Sequence, residues 1–265
     1  MEYGRTALRG HDRGGLLGRL AVAAALLLTG CDAAVGIPGD APEQAAAPAP
    51  SAAPGAPEPS VAAIGRWAAD LRAGSLDELE NRCWTMAPGN VRDMYDTPGP
   101  ILEAIDEPGV RSGSVFVWRS AAVTVVARDR DVAAGYACPH VFASGDEIAF
   151  NAADARHTVR RFLARAVGAP LDSADVESSY PLVCAAERSW DPDENGKSVV
   201  PPMAAGARTM TGIRSFTDES IKSEWPYDEY ITVSVPVTTA SGVRKKQTFT
   251  LKSGSDGYCI GDVSG

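Results

Sequence analysis

Four cysteines, Cys83, Cys138, Cys184 and Cys259, constrain the fold of this chain more than any other feature. Cys83 and Cys184 sit in or just after stretches that read as helical. Cys138 and Cys259 sit in stretches that read as strands. The spacings match neither a zinc finger nor a Cys-x-x-Cys redox pair. The fifth cysteine, Cys31, belongs to the opening segment and is set aside; an even number in the rest of an exported protein points to two disulfides, and four cysteines allow three pairings. The parallel placement favours Cys83–Cys138 and Cys184–Cys259, each joining a helical region to a strand within its own half. The repeated order predicts either two tandem modules, 61–150 and 151–265, or one domain over 61–265.

Export is read from the opening residues. Arg5, Arg9, Arg13 and Arg19 precede an apolar run from Leu20 to Leu28, and the small residues Thr29 and Gly30 follow. A basic segment, a short apolar segment and small residues at the cut make a signal peptide over 1–30. The run is shorter than the ~20 apolar residues that span a bilayer. Leu28-Thr29-Gly30-Cys31 resembles a bacterial lipobox. That resemblance implies cleavage before Cys31, a diacylglyceryl group on its thiol and usually acylation of the new amino terminus. The expected location is the extracytoplasmic face of the bacterial cell membrane, with lipid as the anchor. One acyl chain holds a protein marginally, and two or three hold it stably.

Residues 31–60 then read as a disordered linker. Of the 29 residues after Cys31, 17 are Ala or Pro and none is Lys or Arg. Seven prolines block helix formation and favour extended, solvated chain. Once the signal is removed, 21 basic and 32 acidic residues remain, a net charge of −11. A surface of that sign repels nucleic acid, so no nucleic-acid partner is expected.

The remaining 205 residues read as α+β. Ile64, Trp67 and Leu71 keep helical spacing up to Gly74. Ser75-Leu76-Asp77-Glu78 forms a capping box for a second helix, whose Leu76, Leu79, Cys83 and Met86 share a face. Pro100 opens a short helix through Ile105. Strands are expected at 114–119, 121–127, 132–142 and 148–150. Asn151 or Asp154 caps a helix running to Ala166, with Gly168 at its C-cap and Ala155, Val159, Phe162, Leu163 and Ala166 buried. Helical character resumes around 172–177. Alternating Ile231, Val233, Val235 and Val237 begin a closing three-strand meander.

Two stretches carry a second resemblance. The run from Trp67 to Leu79, with Gly74-Ser75 before its second helix, and the ending Asp256-Gly257-Tyr258-Cys259-Ile260 are similar to the opening helices and final meander of nuclear transport factor 2-like domains. This implies helices packed on a curved antiparallel sheet, and here either two tandem cone-like modules or one domain. That family hosts isomerases, dehydratases, ligand binders and scaffolds, so the fold alone assigns no activity.

The chemistry-bearing residues are few. His140 and His157, the latter on the exposed side of its helix, lack partners at metal or triad spacing and read as structural. Gly-x-Ser-x-Gly, Ser-x-x-Lys, His-Glu-x-x-His and Gly-x-x-x-x-Gly-Lys patterns are absent from the sequence. Asp191, Asp193 and Asn195, ahead of Gly196, match the first half of a calcium loop, but Pro202 stands where an EF-hand places its bidentate Glu. No cofactor is expected apart from this calcium candidate. Arg156, Arg160, Arg161 and Arg165, with His157, form a basic face read as solvated and neutralised by nearby acids. Of Trp67, Trp84, Trp118, Trp190 and Trp225, the patterns around Trp67 and Trp118 predict burial.

The resulting expectation is a non-catalytic envelope lipoprotein that binds a small ligand or an envelope partner. The alternatives are an enzyme of the ketosteroid isomerase-like type, using a cone pocket, and a structural partner of a membrane complex.

Overall fold

Pro59 fits the first turn of a helix because its missing N–H has no partner there to lose. In the computed structural model, which describes residues 59–206, 210, 212–227 and 229–265, helix α1 accordingly runs Pro59–Ala73. The signal segment, the lipobox with Cys31 and most of the linker lie outside the described residues. The chain is α+β with antiparallel sheets, the class expected from the sequence.

The first half packs α1, α2 (Leu76–Arg82), α3 (Pro88–Tyr95) and α4 (Pro98–Asp106) with a four-stranded sheet. Its strands run in sequence order: β1 (Val110–Ser112), β2 (Val115–Arg119), β3 (Val123–Arg128) and β4 (His140–Ala143). Ser75 caps α2 by accepting the Glu78 N–H at 3.3 Å. Trp67, Leu79, Tyr95, Trp118 and Val125 fill the space between helices and sheet. The Tyr95 hydroxyl, fully buried, donates to the Pro139 carbonyl at 2.7 Å and so removes its polar cost. Val115, Val117 and Val126 point to the other face, against Phe142 and Ile148.

The second half opens with α6 (Ala152–Ala166). A long irregular segment follows. Then β5 (Ile213–Phe216) and β6 (Lys222–Tyr227) share one edge of β7 (Tyr230–Thr239), and β8 (Arg244–Gly254) and β9 (Gly257–Ser264) complete the sheet. The expected alternation holds: Ile231 lies opposite Leu251 and Val233 opposite Phe249, all fully buried beside Val159 and Leu163 of α6. Each such side chain contributes about 1.5–3 kcal/mol by leaving water. Gly168, at φ 76°, ends α6 in the left-handed conformation that favours glycine. Gly261 has a different reason to be glycine. A Cβ there would overlap the Trp190 ring.

Both disulfides form within halves, Cys83–Cys138 and Cys184–Cys259. Cys83 is the C-cap of α2, and Cys259 lies in β9. These are the favoured pairs.

Several expectations fail for local reasons. The strand expected over 132–142 is instead a short helix, α5 (Asp129–Ala133), a turn, and only then β4. Asp129 and Asp131 in the first turn suit a helix N-terminus, Gly135 at φ 85° breaks the chain, and Pro139 has no N–H for a ladder. Residues 148–150 form no strand, and 172–177 turn rather than wind, with Asp172 Oδ1 accepting the Ala174 N–H at 2.7 Å. Helix α4 starts at Pro98, not Pro100. Among the described residues no helix is long and apolar enough to cross a membrane.

Candidate functional site

The cap of α6 connects the two halves. Asn151 Oδ1 accepts the Ala153 and Asp154 N–H groups at 2.9 and 3.1 Å, and Asp154 Oδ2 accepts the Asn151 N–H at 3.0 Å. The other Asp154 oxygen faces the first half. It accepts Asn90 Nδ2–H at 2.8 Å and lies 2.9 Å from His140 Nε2. Burial alone would push the Asp154 carboxyl up. His140, the Asn151 N–H and Arg128 outweigh it and hold the group below the usual carboxylate range.

One turn further on, His157 and Arg161 correct the sequence reading. They are not on a solvated face: their residues are only 5% and 3% exposed. The cause is packing on both sides of α6. One face meets β7 to β9, and the other is covered by Trp84 and by the segment that carries Asp175 and Tyr180. His157 Nε2–H donates to the Trp84 carbonyl at 2.8 Å. Arg161 grips Asp175 with two bonds, 2.6 and 3.2 Å, and its guanidinium lies 4.9 Å from the centre of the Trp84 ring. Arg165 also binds Asp175, and reaches Glu177 at 2.7 Å. Arg160 pairs with Asp218 at 2.7 Å, and Arg156 donates to Ser223 Oγ at 2.8 Å. The expected neutralisation by acids therefore holds for Arg160, Arg161 and Arg165.

His140, Asp154, His157, Arg128, Arg161 and Tyr258 surround a cavity of about 20 Å³. That volume matches roughly one water molecule. As the side chains are placed, the space beside His140 and Asp154 admits nothing much larger than water. The groups hold the halves together.

This buried set has a pH signature. Burial, followed by the Arg161 and Arg160 charges, pulls the His157 pKa from 6.5 down to about 4. The folded pKa is below the unfolded one, so between pH 6.5 and 4 the unfolded chain binds more protons. Stability should fall as pH drops through that window, by roughly 3 kcal/mol in all, and level off below it. Urea midpoints at pH 7 and 4.5 check this, and His157→Gln should remove most of the difference. Below pH 4 the lowered carboxyls of Asp154 and Asp175 continue the loss.

Beside this seam lies a larger cleft of about 480 Å³. The end of α2 supplies Asn81 and Arg82, the turn after it Trp84 and Thr85, α5 supplies Asp131, and the next turn Tyr136 and Cys138. Asp172, Ala174 and Tyr180 close it from the second half. The Cys83–Cys138 bond fixes one wall to α2. Trp84 and Tyr180 meet edge to face, with ring centres 4.8 Å apart. Arg82 Nη1 and the Tyr136 hydroxyl both donate to Asp70, at 2.5 and 2.7 Å. Burial and Asp70 push the Tyr136 phenol well up, so it stays protonated. Asp131 is only 2% exposed; its Oδ2 takes Arg128 Nε–H at 3.0 Å, and its Oδ1 has no hydrogen-bond partner among the described residues.

The calcium candidate lies apart, in the irregular segment. Asp191 accepts the N–H groups of Asn195 and Gly196 at 3.2 and 2.8 Å, and Asn195 Oδ1 accepts the Lys197 N–H at 3.0 Å. Its oxygens close the turn, and Asp193 is exposed. Among the described residues, no cluster of three or more His, Cys, Asp or Glu is placed to hold a metal ion. Trp67, Trp118 and Trp190 are core, Trp84 lines the cleft, and Trp225 is half exposed.

The sequence reading missed both the Asp154 junction and the cleft. The capping pattern at Asn151 and Asp154 was legible, but not that the same carboxylate would meet Asn90 and His140. No protein-family model, no curated protein and no solved structure matches this chain.

Proposed function

We propose that this chain is a cell-envelope lipoprotein, lipidated on Cys31 at the extracytoplasmic face of the membrane, whose folded part binds a small ligand without transforming it. The cleft carries this reading. Its 480 Å³ falls in the ~300–1,000 Å³ range of small-molecule sites, and it offers aromatic walls with a few polar groups. In this reading each half is a cone-like module with helices over a curved sheet. The ligand sits where the first module meets the segment after α6. The linker over 31–60 sets the distance from the membrane.

Cys31→Ala is expected to release the protein from the membrane fraction or leave it unprocessed, and intact-mass measurement of the native protein should find a lipid on an amino-terminal Cys31. A small molecule should accompany the protein from its own cells in native mass spectrometry. It should be missing from Ala174→Trp, which fills the cleft. An unlipidated product cut elsewhere defeats the anchor. A protein that carries nothing, or an Ala174→Trp variant that still carries the molecule, defeats the binding site.

A further inference from the structure

We infer that the cleft selects a ligand carrying a cationic amine on a flat apolar body. The inference rests on the proposal that the cleft is a binding site, and it adds the chemistry of the occupant. Three rings supply the apolar walls: Trp84, Tyr136 and Tyr180. Arg82 is the cation lining the cleft, and Asp70 neutralises it at 2.5 Å. Arg161 lies against two of the rings from behind the wall, and Asp175 neutralises it at 2.6 Å. Of the remaining charged groups of the lining, Asp131 is paired with the buried Arg128 at 3.0 Å, and Asp172 has no ion pair among the described residues.

Asp131 contributes an acceptor rather than a net charge. It lies in the cleft lining yet is 2% exposed. One oxygen is committed to Arg128 and the other has no partner among the described residues. A buried carboxylate oxygen without a donor is costly, and a ligand that supplies a donor or a positive charge nearby relieves that cost. Asp172 stands half-buried and supplies the unpaired negative charge. An ammonium group is attracted by the carboxylates and by the faces of electron-rich rings, while a neutral hydroxyl is attracted less and a carboxylate is repelled. The net charge of −9 on the whole chain points the same way for the approach of a cation.

The test is calorimetry on the full-length protein in non-ionic detergent, against a detergent blank, with three probes of one shape: phenethylamine, 2-phenylethanol and 3-phenylpropionate. The amine should bind about tenfold more tightly than the alcohol, and the carboxylate most weakly. Salt at 0.5 M should narrow the gap between amine and alcohol, since the preference is electrostatic. Asp131→Asn, which leaves the Arg128 charge uncompensated beside the cleft, should abolish the preference. Asp172→Asn, at a site with no ion pair among the described residues, should reduce it by about threefold without loss of folding. Ala174→Trp should remove binding of all probes. Equal affinities for amine and alcohol, both lost in Ala174→Trp, overturn the charge selection and leave the binding site standing. A preference that survives both Asp substitutions also overturns it. If no probe binds at 10 mM the inference fails, and the co-purified molecule alone then decides whether the cleft binds anything.

Discussion

Asp175→Ala is expected to lower the unfolding free energy by about 3–5 kcal/mol, the range for removing one partner of a buried ion pair. A typical domain has ~5–15 kcal/mol in total, so the loss should show as a large drop in the urea midpoint. The size follows from what the carboxylate leaves behind. Its side chain is fully buried, and the Arg161 side chain is 4% exposed. Burial pushes the Asp175 carboxyl up, yet the hydrogen bonds and charges of Arg161 and Arg165 hold it below the usual range, so it is ionised near neutrality. Without it, Arg161 keeps a desolvated positive charge with only the Trp84 and Tyr180 rings for company. Asp175 also ties the segment with Tyr180 to α6, so ligand binding in the cleft should weaken as well. A loss under about 1 kcal/mol would mean that Arg161 swings out to water, as exposed pairs allow.

What the sequence made legible was local. The alternation of Ile231, Val233, Val235 and Val237 specified β7, because a half-buried strand must place every second residue inward. Asn151, Asp154 and Gly168 marked the ends of α6, because orphan backbone groups at helix termini call for those residue types. The favoured cysteine pairs form, although Cys138 and Cys184 lie in irregular chain and not in the strand and helical region expected of them.

What stayed hidden depended on distant chain. Helix α5 has only five residues, too short for a 3.6-residue period to show against the β-rich neighbours Val123 to Ala127. The irregular run after α6 is held by scattered tertiary contacts, among them the Asp175 ion pairs, the Cys184–Cys259 bridge and Asp191 N–H to the Tyr230 hydroxyl at 2.8 Å, and leaves no periodic trace. The side of α6 with His157 and Arg161 reads as surface by composition. Only the arrival of Trp84 and Asp175 from elsewhere makes it interior, and a buried arginine becomes tolerable once its carboxylate is in place. The cleft is hidden for the same reason, since its walls come from residues 81 to 180.

Replacing Cys83 and Cys138 together by Ser is expected to destabilise the protein by about 4 kcal/mol at most, from the chain entropy restored to the unfolded state. The bridged residues are 55 apart in sequence, and 75 apart for Cys184–Cys259, so the second double substitution should cost about the same. The more telling result is where the loosening appears. Both bridges are internal to their halves, which favours two modules that open separately. The buried polar contacts argue the other way. Asn90 and His140 meet Asp154, the Trp84 carbonyl takes His157, Arg130 binds Asp256 at 2.6 Å, and Tyr258 donates to the Phe150 carbonyl at 2.9 Å. Opening one half alone would leave these groups unpaired in the other, at about 1–3 kcal/mol for each that water does not reach. Amide exchange in the 83/138 double variant should therefore quicken in β7 to β9 as well as in α1 to β4. Faster exchange confined to residues before 150 would show that the seam yields first, and would make the two halves separate folding units joined at α6.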